Sequence, residues 1–300
     1  MLNHIEWTAG LNGYRKYTLD LSARQFTTEL LDNNFEKDRH IFDIFYDHLS
    51  IRQTKYVEVL YSGGLDSELV LLACMNRNIP VKAITMVIRN KGIIINTHDL
   101  YYAEKFCRTH NIEQILIDLE ANEFYNSGKY LDYLVPYYIT APHVATHFWL
   151  LEQCNHFPVF GGDWGWVQVY QEQKVLSPSR LEFSSYERYM QDKGIYGIGN
   201  MIANSLESNY AIMKLQIENY AGKEDSSIMK HRIYTKIDPT VEIRARSYGW
   251  EHVSRTNFDL NHYKVELLKT IKLITKPTIK WNSVVSTLLN TTLTENSEFK

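Results

Sequence analysis

Residues 62–67 read SGGLDS. Ser62 and Ser67 carry hydroxyls, Asp66 carries a carboxylate, and Gly63 and Gly64 leave two peptide groups bare of side chains. Glycines reach backbone angles closed to other residues, so consecutive N–H groups can converge on one point. At the start of a helix, which adds about half a positive charge, such a nest suits phosphate or pyrophosphate. A carboxylate inside an anion nest is unfavourable unless a cation lies between it and the phosphates. Asp66 therefore predicts Mg²⁺ held jointly by its carboxylate and by phosphate oxygens. The GxxxxGK[ST] spacing with its lysine is absent, and so is the GxGxxG turn. A plain strand–helix turn capped by Ser or Asp is the other reading of the same residues.

The turn needs a strand before it and a helix after it, and the flanking residues supply both. YVEVLY (56–61) reads as a strand and SELVLLACMNRN (67–78) as a helix closed by Asn76 and Asn78. VKAITMVI (81–88) is a nearly continuous buried strand, and residues 96–111 form a helix with an apolar face of Leu100, Ala103, Phe106 and Cys107. IEQILIDL (112–119) is a third strand, residues 141–154 a helix, and FPVF (157–160) a fourth strand running into GGD. Strands alternating with helices predict an α/β fold with a parallel, doubly wound sheet. Ligands in such sheets bind at the carboxyl ends of the strands, where SGGLDS lies. Residues 35–49 have helical spacing within an N-terminal extension, 1–54, ahead of a nucleotide-binding domain at 55–170. From about residue 170 strand signals fade. Helical patterns at 184–194, 200–220 and 259–274 predict a helical C-terminal region, 171–300, packed beside the sheet.

SGGLDS resembles the SGGxDS signature of the PP-loop (N-type) ATP pyrophosphatases, which cleave ATP between its α and β phosphates. The resemblance spans roughly residues 56–166 and implies an adenine nucleotide alpha hydrolase-like fold using ATP and Mg²⁺. It implies nucleotide contacts at Tyr61, Ser62, Gly63, Gly64, Leu65, Asp66 and Ser67, and at Gly161 and Gly162 of the fourth strand. Main-chain groups of Met86, in the second strand, would bond the adenine. Asp99 and Ala103 look like the acid and alanine that the family often carries in the next helix, although Asp99 also reads as a helix cap. A strand order 3-2-1-4 would bring Asp163 beside the turn, so that Asp66 and Asp163 form the metal site. The GGD motif is similar to the glycine-rich acidic motif of the asparagine synthetase branch, but Trp164 replaces the glutamate expected after the acid. A leaving pyrophosphate calls for a distal cation. Among Lys230, Arg232, Lys236, Arg244 and Arg246, the expected contributors are Lys230 and Arg232.

The branches of the family differ in residues that can be checked. A glutamine-hydrolysing synthetase would need a nucleophile domain with Cys at position 2, where this chain has Leu2. The three cysteines, Cys74, Cys107 and Cys154, form no CxxC pair and no zinc spacing, and read as reduced thiols. What remains resembles a stand-alone asparagine synthetase-type synthetase domain, taking a small-molecule or nucleotide acceptor and nitrogen from ammonia, an amine or a separate glutaminase. A sulfonucleotide reductase or sulfurylase relative is a second reading, weakened because no cysteine lies beyond Cys154. A silent ATP-binding regulatory module is a third.

Other signals are weaker. A net charge of −3 gives no global attraction to nucleic acid. The lysines at 264, 269, 272, 276 and 280, offset by Glu266, could touch nucleic-acid phosphate or form a solvated helix face. His143 and His147 share a helical face without a third ligand, and read as packing residues. Trp164 and Trp166 could stack on a planar substrate or pack at the rim. The N-terminus lacks a signal-peptide pattern and no apolar run could span a bilayer, so the expected location is cytoplasmic, with no membrane partner.

Overall fold

The computed structural model describes residues 39–50, 54–137, 139, 141–162, 184–202, 226–242 and 258–274, scattered positions between 204 and 219, and the backbone of 166–170 and 173–177. Helix α1 (Ile41–Ser50) turns Ile41, Phe42, Ile44, Phe45 and Leu49 inward, as its spacing predicts. Strand β1 (Val57–Leu60) is buried throughout. It leads through the glycine turn into α2 (Leu65–Asn76), which ends where Asn78 adopts a left-handed conformation (φ 53°) and Ile79 N–H bonds the Cys74 carbonyl. Strand β2 (Val81–Asn90) and the short β3 (Ile93–Ile94) precede α3 (Thr97–Thr109) and β4 (Glu113–Glu120). Two short helices, α4 (Ala121–Asn126) and α5 (Lys129–Leu134), then α6 (Val144–Leu151), lead to β5 (Phe157–Phe160).

The four principal strands run parallel in the order β4-β2-β1-β5, with β3 antiparallel on β2. This is the expected 3-2-1-4 winding, and the fold is the mixed α/β class expected of the sequence. Helices cover both faces of the sheet. Val57 and Val59 face a core shared with α1, α2 and α8 (Ser226–Ile237), whereas Leu60, Ile84, Met86 and Ile88 face one shared with α4 to α6, α7 (Ser184–Lys193) and α9 (Leu260–Ile274). Glu58 is a carboxylate inside this sheet, and it is satisfied by backbone. Its Oε2 accepts the N–H groups of Asn155 and His156 at 2.9 and 2.8 Å, fixing the entry to β5. All three thiols are free, and burial pushes each up to about 12. Among the described residues no helix is long and apolar enough to cross a membrane.

Two features depart from the expected pattern. Strands β6 (Trp166–Tyr170) and β7 (Gln173–Ser177) pair as an antiparallel hairpin, so strand structure continues past residue 170. The segment 200–220 is not helical from its start. Residues 198–202 lie alongside β5 instead, with Ile198 bonding Pro158 and Phe160, Met201 bonding Phe160, and Ile202 bonding Gly161 through main-chain groups. Gly197 and Gly199 make this possible, because a Cβ on Gly197 would lie 2.3 Å from the Pro158 carbonyl oxygen. The basic stretch that starts near Lys230 lies in α8, in keeping with the helices expected beyond residue 170.

Glu152 closes α6 against α5 and α7. It accepts hydrogen bonds from the phenols of Tyr133 (2.6 Å) and Tyr189 (2.5 Å), and the Lys193 ammonium lies 3.4 Å away. Burial raises the Glu152 carboxyl pKa, but the two phenols and Lys193 outweigh it and hold the group below the ordinary carboxylate range. A carboxyl depressed by folding contributes stability above its unfolded pKa, and that stability is lost as pH falls through the folded value. Glu152→Gln is therefore expected to cost up to about 1 kcal/mol at neutral pH, because Glu152 is exposed and solvent screens its partners. Urea unfolding at pH 7 and at pH 3 should show the gap to wild type narrowing on acidification. A gap independent of pH would refute the charged role of Glu152.

Candidate functional site

The site forms where β1 ends. Tyr61 N–H still bonds the Ile84 carbonyl of β2, and the chain then leaves the sheet. Tyr61 is buried, and its phenol donates to Glu68 Oε2 at 2.8 Å, satisfying one oxygen of a buried acid on the first turn of α2. Ser62 is exposed, with its Oγ 3.3 Å from the Gly64 N–H. Gly63 has φ +81°, and a Cβ there would stand 2.3 Å from the Asp99 carbonyl oxygen and 3.1 Å from Ala103 N. Gly64 caps α2 without a side chain, and Leu65, Asp66 and Ser67 begin the helix. First-turn amides of a helix have no partner within it, so these N–H groups gather at the turn. Ser67 is buried, and its hydroxyl donates to the Gly64 carbonyl at 3.2 Å.

The neighbouring elements account for two residue types noted in the sequence. Ala103 is fully buried, and its backbone nitrogen lies where α3 meets the Gly63 peptide. Leu60 pairs with Phe160, which sets the end of β5 against the turn. A Cβ on Gly161 would lie 2.8 Å from both N and Cα of Ser67. Gly162 has φ +79°, and a Cβ there would fall 1.9 Å from Asn200 Oδ1. Gly161 is thus required by its contact with backbone, and Gly162 is favoured by its left-handed conformation. Asp163 and Trp164 lie outside the described residues, as do Arg244, Arg246, Lys276, Lys280 and the side chains of Trp166 and Lys272.

Of the expected cations, Lys230 reaches the turn: its Nζ lies 2.8 Å from Asp66 Oδ2. Arg232 does not share that contact; its guanidinium donates to the Asn219 carbonyl at 3.2 Å. The sequence reading missed Tyr234. Its phenol, fully buried, donates to Asp66 Oδ1, one helical turn beyond Lys230 on α8. The i, i+4 spacing of Lys230 and Tyr234 on an otherwise apolar helix face was the available signal. Lys269 pairs with Glu266 at 2.8 Å. His147 shares a 2.6 Å hydrogen bond with the Tyr186 hydroxyl and packs beside Phe160.

Met86 lies where β2 runs on past the end of β1. Its carbonyl accepts the Asn96 side-chain amide at 2.8 Å, while Asn96 Oδ1 accepts the Ile88 N–H at 2.9 Å. This carboxamide, buried at the start of α3, covers the strand edge that continues from Ile84.

Asp66 supplies the hard carboxylate oxygens that Mg²⁺ takes, beside amides suited to phosphate, so the donor chemistry fits the expected metal. One oxygen is held by a fixed phenol and the other by an ammonium on a flexible stem, so the metal fits on condition that Lys230 moves aside.

No protein-family model matches the chain, and no curated protein matches it in sequence. Several solved structures are similar. A predicted subunit of tRNA methyltransferase from Methanocaldococcus jannaschii is 17% identical over 60% of this chain and 86% of that one, with a TM-score of 0.32. NMN synthetase from Francisella tularensis is 14% identical over 87% of this chain and 100% of that one, at 0.31. NH3-dependent NAD synthetase from Campylobacter jejuni is 15% identical over 75% of this chain and 100% of that one, at 0.28. Scores of this size leave the site to be read from its own geometry.

The Gly161 contact gives a direct test of how tightly the turn is held. Gly161→Ala is expected to destabilise the protein by about 1–3 kcal/mol, measured by urea unfolding, because the added methyl meets backbone. Ser67→Gly should not rescue it, since the clash is with main-chain atoms. Wild-type stability in Gly161→Ala would show that β5 does not press on α2.

Proposed function

We propose that this chain is a PP-loop ATP pyrophosphatase that adenylates an acceptor oxygen, a carboxylate or carbonyl, and releases pyrophosphate. A nitrogen nucleophile would then displace AMP, as in the asparagine synthetase-type ligases. The observation that carries the reading is the SGGLDS turn at the carboxyl end of β1, with first-turn amides of α2 gathered beside an Asp66 that a distal lysine also reaches.

In this reading the amides of Leu65, Asp66 and Ser67 and the Ser62 hydroxyl orient the phosphates. Lys230 offsets negative charge developing on the pyrophosphate. Asp66 would hold Mg²⁺, which when bound supplies Lewis-acid charge to the leaving phosphates. Asp163, just past Gly162, would be its second ligand. Arg232 stands as a further contributor of positive charge. No protein nucleophile is required, because positioning and charge stabilisation suffice for attack at the α-phosphorus. The absence of cysteine beyond Cys154, with the existing thiols held protonated by burial, favours this reading over a sulfonucleotide reductase.

The test is exchange of labelled pyrophosphate into ATP, measured over a panel of carboxylate and carbonyl acceptors. An acceptor that triggers exchange supports adenylation, and Asp66→Asn, checked for native circular dichroism, should lower the rate roughly 100-fold or more. Undiminished exchange in that variant would remove Asp66 from the machinery. ATP binding without exchange for any acceptor would favour a silent nucleotide-binding module.

A further inference from the structure

We propose that the outer edge of β4 pairs with the same edge of a second copy of this chain, antiparallel and two-fold symmetric about Leu116. The inference is independent of the nucleotide reading above and goes beyond it.

β4 is the end of the sheet. It pairs with β2 on one side, and among the described residues no strand pairs with it on the other. Main-chain groups point alternately to the two sides along a strand. The carbonyls of Pro80 and Ile84 face β1, where they accept the N–H groups of Val57 and Tyr61, so Ala83, Thr85 and Val87 face β4. Thr85 lies opposite Leu116 in the register of β2 on β4. Ile115 and Ile117 therefore bond β2, whereas Gln114, Leu116 and Asp118 turn their amides and carbonyls outward.

Strand edges are ordinarily blunted by lysine, proline, a bulge, short length or a cover. β4 has 8 residues, contains no lysine or proline, and keeps an unbroken register with β2, so no bulge interrupts it. Its acids are turned back on their own sheet. Glu113 meets Lys82 at 2.6 Å, Asp118 meets Arg89 at 2.5 Å, and Glu120 accepts the N–H groups of Lys91 and Gly92 at 2.8 and 2.9 Å. The middle of the edge is left to Ile115, Leu116 and Ile117, and Leu116 is 47% exposed.

The residues of β4 complement a copy of themselves, and in one register. A two-fold axis must pass through a residue, because an axis between residues would set outward groups against inward ones. An axis at Ile117 overlaps as many residues as one at Leu116, but it sets Leu116 against Asp118. An axis at Leu116 sets Leu116 on its own copy, Ile115 on Ile117, and the Gln114 carboxamide on the Asp118 carboxylate, with no two acids opposed. It forms about six main-chain hydrogen bonds, since each outward-facing pair exchanges two. One strand edge is a small interface, so the dimer is reversible. The copies run antiparallel, so the two sheets join into one and their glycine turns lie at opposite edges of it. Each turn then stays open to its own ligand.

The test is sedimentation equilibrium of the full chain, which should show a reversible monomer–dimer equilibrium. Leu116→Lys brings two ammonium groups together at the axis and should weaken association roughly a hundredfold or more. Its circular dichroism should match wild type, and Leu116→Ile should keep the dimer. The register is read by oxidative cross-linking, because directly opposed Cα atoms of a hydrogen-bonded pair lie about 5.5 Å apart, within disulfide range. Leu116→Cys should link to itself above the wild-type background. Gln114→Cys should link when mixed with Asp118→Cys and not when alone. A monomeric wild type overturns the proposal, including the case in which another part of the same chain covers the edge. A dimer that Leu116→Lys leaves intact and Leu116→Cys does not link places the interface elsewhere and overturns it too. If Leu116→Lys fails to fold, the cross-linking pattern decides. Linking of Gln114→Cys to itself overturns the register.

Discussion

The arrangement depends on backbone meeting backbone around one turn. The peptide at Gly63 is pressed against Asp99 and Ala103 of α3, and the end of β5 at Gly161 is pressed against the first turn of α2. No side chain fits at either contact. Because β1 lies between β2 and β5, the turn is squeezed from both sides at the sheet edge where strand order reverses. Its amides gather there through that confinement, and a ligand would meet a surface already in place.

Carboxyl groups in this fold are hydrogen-bonded in several ways. Glu58 takes two backbone N–H groups, Glu68 takes the Tyr61 phenol, and Glu152 takes two phenols with an ammonium nearby. Phenols satisfy a carboxylate without adding a second ion to desolvate, which is one use for the chain's many tyrosines. Asp66, with the Tyr234 phenol on one oxygen and the Lys230 ammonium on the other, combines the same two kinds of partner as Glu152.

Most of the sheet was legible because its signals are local. β-branched runs, alternating helical faces and the glycine turn each declare themselves within a dozen residues, and the parallel order follows from alternation. The Asp66–Lys230–Tyr234 cluster was only half legible. The need for a distal cation follows from charge, but which of several basic residues arrives depends on how α8 docks on α2, across 164 residues of sequence. The Asn96 carboxamide gave no sign, since a polar residue before a helix reads as a cap. The edge formed by residues 198–202 was hidden by its glycines, which read as breaks although here they let two backbones approach. Metal ligation by Asp163 remains part of the proposed function.

That edge has a consequence for the shape of the chain. Gly161 and Ile202 are joined by a main-chain hydrogen bond, as are Pro158 and Ile198, so the chain leaves the sheet beside β5 and returns one strand spacing away. Everything between Gly162 and Gly197, including the β6–β7 hairpin and α7, is a closed excursion with both ends clamped. The entropy of closing such an excursion grows only with the logarithm of its length. The clamp therefore fixes both ends of the excursion while α7 within it returns to the core beside Leu60 and Ile84.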